Sequence, residues 1–187
     1  MMTERQPIDE PLDTAAALSI DRLDVIAPGA FAAAVAPLFE GARGFVGRLS
    51  MARPFGSIEG LFASARGIAH AMPLDEQLEL IDAHPRLGAP PASVSALSFV
   101  EQGYSGAAAP VDVAAELDRL NGAYEARFGF RYCVFVAGRS RAELLPGMTA
   151  ALEADREDEI VRALDAVVDI ARDRYATLSA SAAEGPR

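Results

Sequence analysis

The sequence predicts an all-α fold: a single-domain bundle of about seven to nine helices with one extended, buried connector. Three observations lead there. Apolar residues recur at three- and four-residue spacing in run after run. Proline and glycine mostly fall between those runs, where they punctuate helices. Only one stretch, Phe130 to Ala137 (FRYCVFVA), is rich in aromatic and β-branched residues, and no second such run offers it a partner strand. The 51% apolar share is weighted toward alanine, a strong helix former.

The elements follow in order. Residues 1–17 are acidic, carry Pro7 and Pro11 and lack an apolar period, so they read as a mobile tail. The helical domain is expected over 18–178. Pro28 sits near the first turn of a helix in which Phe31, Val35, Leu38 and Phe39 recur up to Gly41. A short helix covers about Ala42 to Met51, and Arg53-Pro54-Phe55-Gly56 ends it. Ser57 caps the next helix, with Gly60 where a capping box would place glutamate. Pro73 opens a helix with Leu74, Leu78 and Ile81 as its stripe, ending at His84 because Pro85 disfavours helical geometry before it.

Ser95 or Ser98 starts a helix through Glu101 to Gln102. Pro110 starts another, with Val113, Leu117, Leu120, Tyr124 and Phe128 inward and Gly129 as its stop. After the connector, Ser140 and Glu143 form a capping box, and Pro146-Gly147 should weaken the helix that follows. The last helix runs from about Glu157 to Leu178, with acids in its first turn and arginines near its end, as a helix dipole prefers. Residues 179–187 read as a frayed tail.

Composition excludes several chemistries. All 17 basic residues are arginine. Without lysine there is no Schiff-base nucleophile and no P-loop lysine. A single cysteine, Cys133, rules out an internal disulfide and a multi-cysteine metal site, and two histidines without an HExxH pattern make a zinc site improbable. The sequence therefore points to no metal and no cofactor, with acid–base work left to His, Glu, Asp or Arg. A net charge of −10 repels nucleic acid and anionic lipid. No apolar run is long enough to span a membrane, and no secretory leader opens the chain, so a cytoplasmic location is expected.

The chain is organised around Asp82 to Gly106. His84 ends one helix, a loop of Pro85, Gly88, Pro90 and Pro91 follows, and Ser98, Glu101 and Gln102 stand on the next helix. Polar groups at both rims of a loop between packed helices suit a small-molecule site. Each also has a plainer role: His84 can simply end a helix, Glu101 can face solvent, and Arg174 can form a surface ion pair with neighbouring acids.

Ordered motifs tip the balance. They are Ala52-Arg53-Pro54-Phe55, Ile81-x-x-His84-Pro85-x-Leu87-Gly88, Ser98-x-x-Glu101-Gln102, Leu120-Asn121-x-x-Tyr124-x-x-Arg127-Phe128-Gly129-Phe130, Gly138-Arg139-Ser140 and Ile170-Ala171-x-x-Arg174. Together the chain resembles the decarboxylases of 2-oxo-4-hydroxy-4-carboxy-5-ureidoimidazoline (OHCU) in urate breakdown. No single motif is specific, but the ordered set is. It departs from the family pattern at Pro146, Ala151 and Ala154 and in a shorter loop between His84 and Glu101.

The resemblance implies an all-α fold and a cofactor-independent decarboxylation yielding (S)-allantoin. It places the catalytic pair on His84 and Glu101, and substrate contacts on Pro85, Ser98, Gln102 and Arg174. The partner it implies is a small ureidoimidazoline, with no nucleic acid and no membrane; a homodimer stays open. The rival reading is a non-catalytic helical module that binds a ureide or purine catabolite.

Overall fold

The computed structural model describes residues 18–104 and 110–183, so the mobile tail expected over 1–17 and the end of the frayed tail lie outside the described residues. The described residues form nine α-helices and no strand: α1 Ile20–Leu23, α2 Pro28–Val35, α3 Arg43–Met51, α4 Ile58–Ala71, α5 Leu74–Asp82, α6 Ala96–Glu101, α7 Val111–Phe128, α8 Arg141–Ala151 and α9 Arg156–Ala183. Short 3-10 turns fill Ala36–Phe39 and Pro91–Ser93.

The long helix α9 is the spine. Its buried face carries Ile160, Ala163, Leu164, Val167, Val168, Ala171, Arg174 and Tyr175, the three-and-four spacing of a helix facing a core. It packs on α4, α5 and the Ala36–Phe39 turn, while α2 packs on α3 and α7 on α8. The helix continues to Ala183, past Leu178 where the sequence suggested it ends. Arg174 therefore lies within the helix body, and the expected answer to a helix-end dipole does not apply to it.

Local chemistry explains most boundaries. Pro37 cannot supply the N–H that would continue α2, so the chain tightens into a 3-10 turn and leaves through Glu40 in a left-handed conformation (φ 50°). Ser57 caps α4 by accepting from the Gly60 amide at 3.0 Å. A Cβ at Gly60 would stand 2.3 Å from the Phe55 carbonyl oxygen, which explains why no glutamate completes that capping box. In α5 the buried stripe is Leu80 and Ile81, whereas Leu74, expected inward, is 48% exposed at the first turn. Ser95, and not Ser98, caps α6, accepting from the Ser98 amide at 3.1 Å. Ser140 and Glu143 form the expected capping box. Pro146 sits inside α8, which nonetheless continues to Ala151; the carbonyl that loses its bond belongs to exposed Ala142.

The Arg-Pro-Phe motif is structural. The Arg53 guanidinium donates to the carbonyls of Leu23 and Ile26 and lies over the Phe31 ring, while Asp24 accepts from the Phe55 and Gly56 amides. The connector after α7 has no regular secondary structure, with Phe130, Tyr132 and Cys133 buried. Tyr124 of α7 holds it by packing its ring against Phe130 and Tyr132. Arg162 of α9 donates to the Cys133 carbonyl at 2.8 Å.

Candidate active site

A cavity of about 140 Å³ lies between the His84 corner, α6, α9 and the connector. His84, Pro85, Ser98, Glu101, Gln102 and Arg174 all line it. The six residues singled out in the sequence, from three separate segments, thus reach one wall system. Tyr132 to Gly138 of the connector form the facing wall, and Ile170 and Asp173 of α9 complete it.

His84 stands just beyond α5, held from two sides. Its imidazole Nδ1 lies 3.3 Å from the Leu80 carbonyl, an oxygen that can only accept. Arg131 of the connector donates to the carbonyls of Asp82 and His84, and its own amide donates to the Asp82 carboxylate. His84 is only 4% exposed. Burial, reinforced by the Arg174 charge, lowers its pKa from the ordinary 6.5 to about 4, against an opposing pull from Glu40. The ring is therefore neutral at pH 7, with its hydrogen on Nδ1. The lone pair sits on Nε2, a buried atom with no hydrogen-bond partner among the described residues. Such an atom in a cavity wall is an available base.

Arg174 is held by every donor it has. Nε and Nη2 donate to Glu101 Oε1 and Oε2 at 2.6 and 2.8 Å, a two-pronged pair. Nη2 also reaches Glu40 Oε1 at 2.7 Å and Ser98 Oγ at 3.0 Å. Nη1 donates to the Pro37 carbonyl at 3.0 Å. Burial opposes the charge on Arg174, but Glu101 and Glu40 outweigh that and raise its pKa. Its partners are thus two carboxylates from distant parts of the chain, not the neighbouring acids of the plainer reading.

Gln102 turns its side chain onto the loop. Oε1 accepts from the Gly88 amide at 2.8 Å, and Nε2 donates to the Arg86 carbonyl at 3.3 Å. The Tyr104 hydroxyl donates to the Ala89 carbonyl, and Asn121 Nδ2 donates to the Leu87 carbonyl at 2.9 Å. Gly88 takes φ +81° here, a conformation open to glycine. The loop after His84 is thereby tied to α6 and α7.

Sequence reasoning missed Glu40. It accepts from Ser95 and Ser98 as well as from Arg174. The available signal was an acid at a helix C-terminus, where the dipole disfavours negative charge.

Among the described residues, no three His, Cys, Asp or Glu side chains gather as a metal-ligand set. Burial pushes the Cys133 thiol up to about 12, so it acts as a small apolar residue of the wall.

A family model for OHCU decarboxylase matches residues 25–176. The chain belongs to the OHCU decarboxylase family. It is 34% identical over 142 residues to the uric acid degradation bifunctional protein PucL of Bacillus subtilis (strain 168), covering 75% of this chain and 28% of that protein. A uric acid degradation bifunctional protein of Bacillus sp. (strain TB-90) is 26% identical over 82% of this chain and 31% of its own length. This family member thus spans about three tenths of the two bifunctional relatives. The 2-oxo-4-hydroxy-4-carboxy-5-ureidoimidazoline decarboxylase of Haloferax volcanii is 27% identical, over 85% of this chain and 95% of its own. Among solved structures, an OHCU decarboxylase in the presence of (S)-allantoin superposes with a TM-score of 0.62 at 26% identity, covering 75% of this chain and 93% of that one. An (S)-allantoin synthase shares the fold, with a TM-score of 0.64 at 19% identity over 86% of this chain and 54% of that one.

Proposed function

We propose that this protein decarboxylates OHCU to (S)-allantoin in urate breakdown, without a cofactor. The observation that carries the reading is the neutral, unpartnered Nε2 of His84 in the same small cavity as the Arg174–Glu101 pair.

The substrate's reacting carbon bears both a carboxylate and a hydroxyl, next to a ring C=N. When the bond to CO₂ breaks, its electron pair moves into the ring and the C=N accepts it, so the substrate is its own electron sink. His84 Nε2 takes the hydroxyl proton as the carbonyl forms, and can return it to the adjacent ring carbon from one face. The ring nitrogen gains the one proton that loss of CO₂ requires. Glu101, fixed on Arg174, presents a carboxylate that accepts hydrogen bonds from ring or ureido N–H groups. That engagement favours His84 as the proton carrier. Arg174 supplies positive charge beside the departing carboxylate, and binds it directly if a substrate oxygen displaces Glu101. Pro85, Ser98 and the connector shape the wall, and Gln102 sets the loop.

No helix among the described residues is long and apolar enough to cross a membrane, and we place the protein in the cytoplasm.

The test is turnover of freshly generated OHCU, followed by circular dichroism at the allantoin band. The spontaneous reaction gives a racemate without signal, so an (S) signal that grows with enzyme concentration supports the reading. A racemic product at the uncatalysed rate would overturn it and leave the binding module in its place.

A further inference from the structure

We propose that Glu40 is a positioning residue of this site, fixing the Arg174 guanidinium and the Ser98 hydroxyl and setting the net charge that the substrate anion meets. The inference rests on the decarboxylation reading for its kinetic arm only.

Glu40 is not part of the cavity wall, so it acts through the residues that are. Its Oε1 accepts from Ser95 Oγ at 2.8 Å, Ser98 Oγ at 2.7 Å and Arg174 Nη2 at 2.7 Å. The donors come from the cap of α6, the first turn of α6 and the middle of α9. One carboxylate oxygen therefore joins the two helices that bear Glu101 and Arg174. The backbone at Glu40 is one that costs a side-chain-bearing residue conformational energy. Glu40 is left-handed at φ 50°, a conformation glycine adopts freely and other residues rarely do. Gly41 stands next to it. The glutamate at this position has a side chain only 13% exposed, and its carboxylate accepts from all three donors.

The charge count is also specific. Arg174 faces two carboxylates, Glu40 and Glu101, with His84 neutral, so the cluster carries one net negative charge. Without Glu40 the Arg174–Glu101 pair is neutral and lacks one of its fixed points. Burial alone would raise the Glu40 carboxyl, but Ser98, Arg174 and Ser95 hold it below the ordinary range, so it stays ionised. The groups around His84 are Glu40 after the 3-10 turn, Glu101 of α6, Tyr132 and Cys133 of the connector, and Asp173 and Arg174 of α9.

The test uses Glu40→Gln, which keeps size and hydrogen-bonding oxygen but not charge, and Glu40→Asp, which keeps charge but not reach. Glu40→Gln should lower kcat at least about tenfold while KM holds or falls, because the substrate anion then meets less negative charge. Nuclear magnetic resonance of the His84 ring gives a readout independent of turnover: the His84 transition should move to lower pH than in the wild type, because the Glu40 charge that raises it is gone. Glu40→Asp should keep the His84 transition near the wild-type position yet lose turnover. Wild-type kcat in Glu40→Gln, or an unmoved His84 transition, would overturn the proposal. If Glu40→Gln does not fold, Glu40→Asp decides through its kcat. Failure of both to fold would also overturn it, because Glu40 would then serve stability alone. If the wild type shows no turnover, the functional reading fails, and the His84 transition still judges Glu40.

Discussion

Arg174 and Glu101 meet by two parallel hydrogen bonds, 2.6 and 2.8 Å long, across 73 residues of chain. The pair is buried on the arginine side, whose side chain is 1% exposed. It joins the cavity wall of α6 to the spine of the fold, so the candidate site and the scaffold share one interaction.

Arg174 variants should therefore lose stability as well as turnover. Removing one partner of a buried ion pair leaves the other uncompensated, at a cost of about 3–5 kcal/mol. Arg174→Ala strands both Glu40 and Glu101 and should lower the urea midpoint accordingly. Arg174→Lys should recover part of the stability, but a lysine ammonium cannot reproduce a planar fork. Its turnover should stay at least about tenfold below wild type. A fully active, fully stable lysine variant would show that the fork geometry is irrelevant.

His84→Asn should fold normally and lose turnover by at least about 10²-fold, the lower end for general acid–base catalysis. The ring makes one long hydrogen bond, to Leu80, so little stability depends on it. Single-turnover rates and thermal midpoints measured side by side check both halves.

Acid should weaken the fold through His84. In the folded chain its pKa is depressed from 6.5 to about 4. Above pH 6.5 both states leave the ring neutral, and no penalty arises. Between 6.5 and about 4 the unfolded chain binds a proton that the folded chain refuses, so stability falls as pH falls. The loss should be on the order of 3 kcal/mol by the lower limit. Urea titrations at pH 7 and 4.5 should show it, and His84→Asn should remove that share of the difference. An equal acid loss in the variant would assign the effect to other groups.

Gln102→Ala should raise KM more than it lowers kcat. The side chain bonds the Gly88 amide and the Arg86 carbonyl, so its loss frees the loop next to His84 while the base itself stays in place. A net hydrogen bond is worth about 1 kcal/mol, so each lost contact should be felt at roughly that level in binding. Initial rates over a range of OHCU concentrations separate the two constants.

The sequence by itself determined the helices and the order of the site motifs. Helical period, proline placement and capping residues are local signals, and they set α4, α7 and the capped start of α8. His84, Ser98, Glu101, Gln102 and Arg174 were legible because they sit in short motifs in a fixed order. Only the tertiary structure decided how those residues are wired. Which partner a buried charge takes depends on groups far apart in sequence: Glu40 lies 134 residues from Arg174 and carries no motif of its own. The same holds for Gln102, which the family resemblance marked as a substrate contact: its place in the motif said nothing of the bonds its side chain makes to the loop backbone. Leu74 likewise followed the helical period yet lies exposed, because the period fixes a face of α5 and the packing of α9 and α3 decides how much of that face is covered. Local periodicity is written within a few residues; burial and charge pairing exist only once distant segments meet.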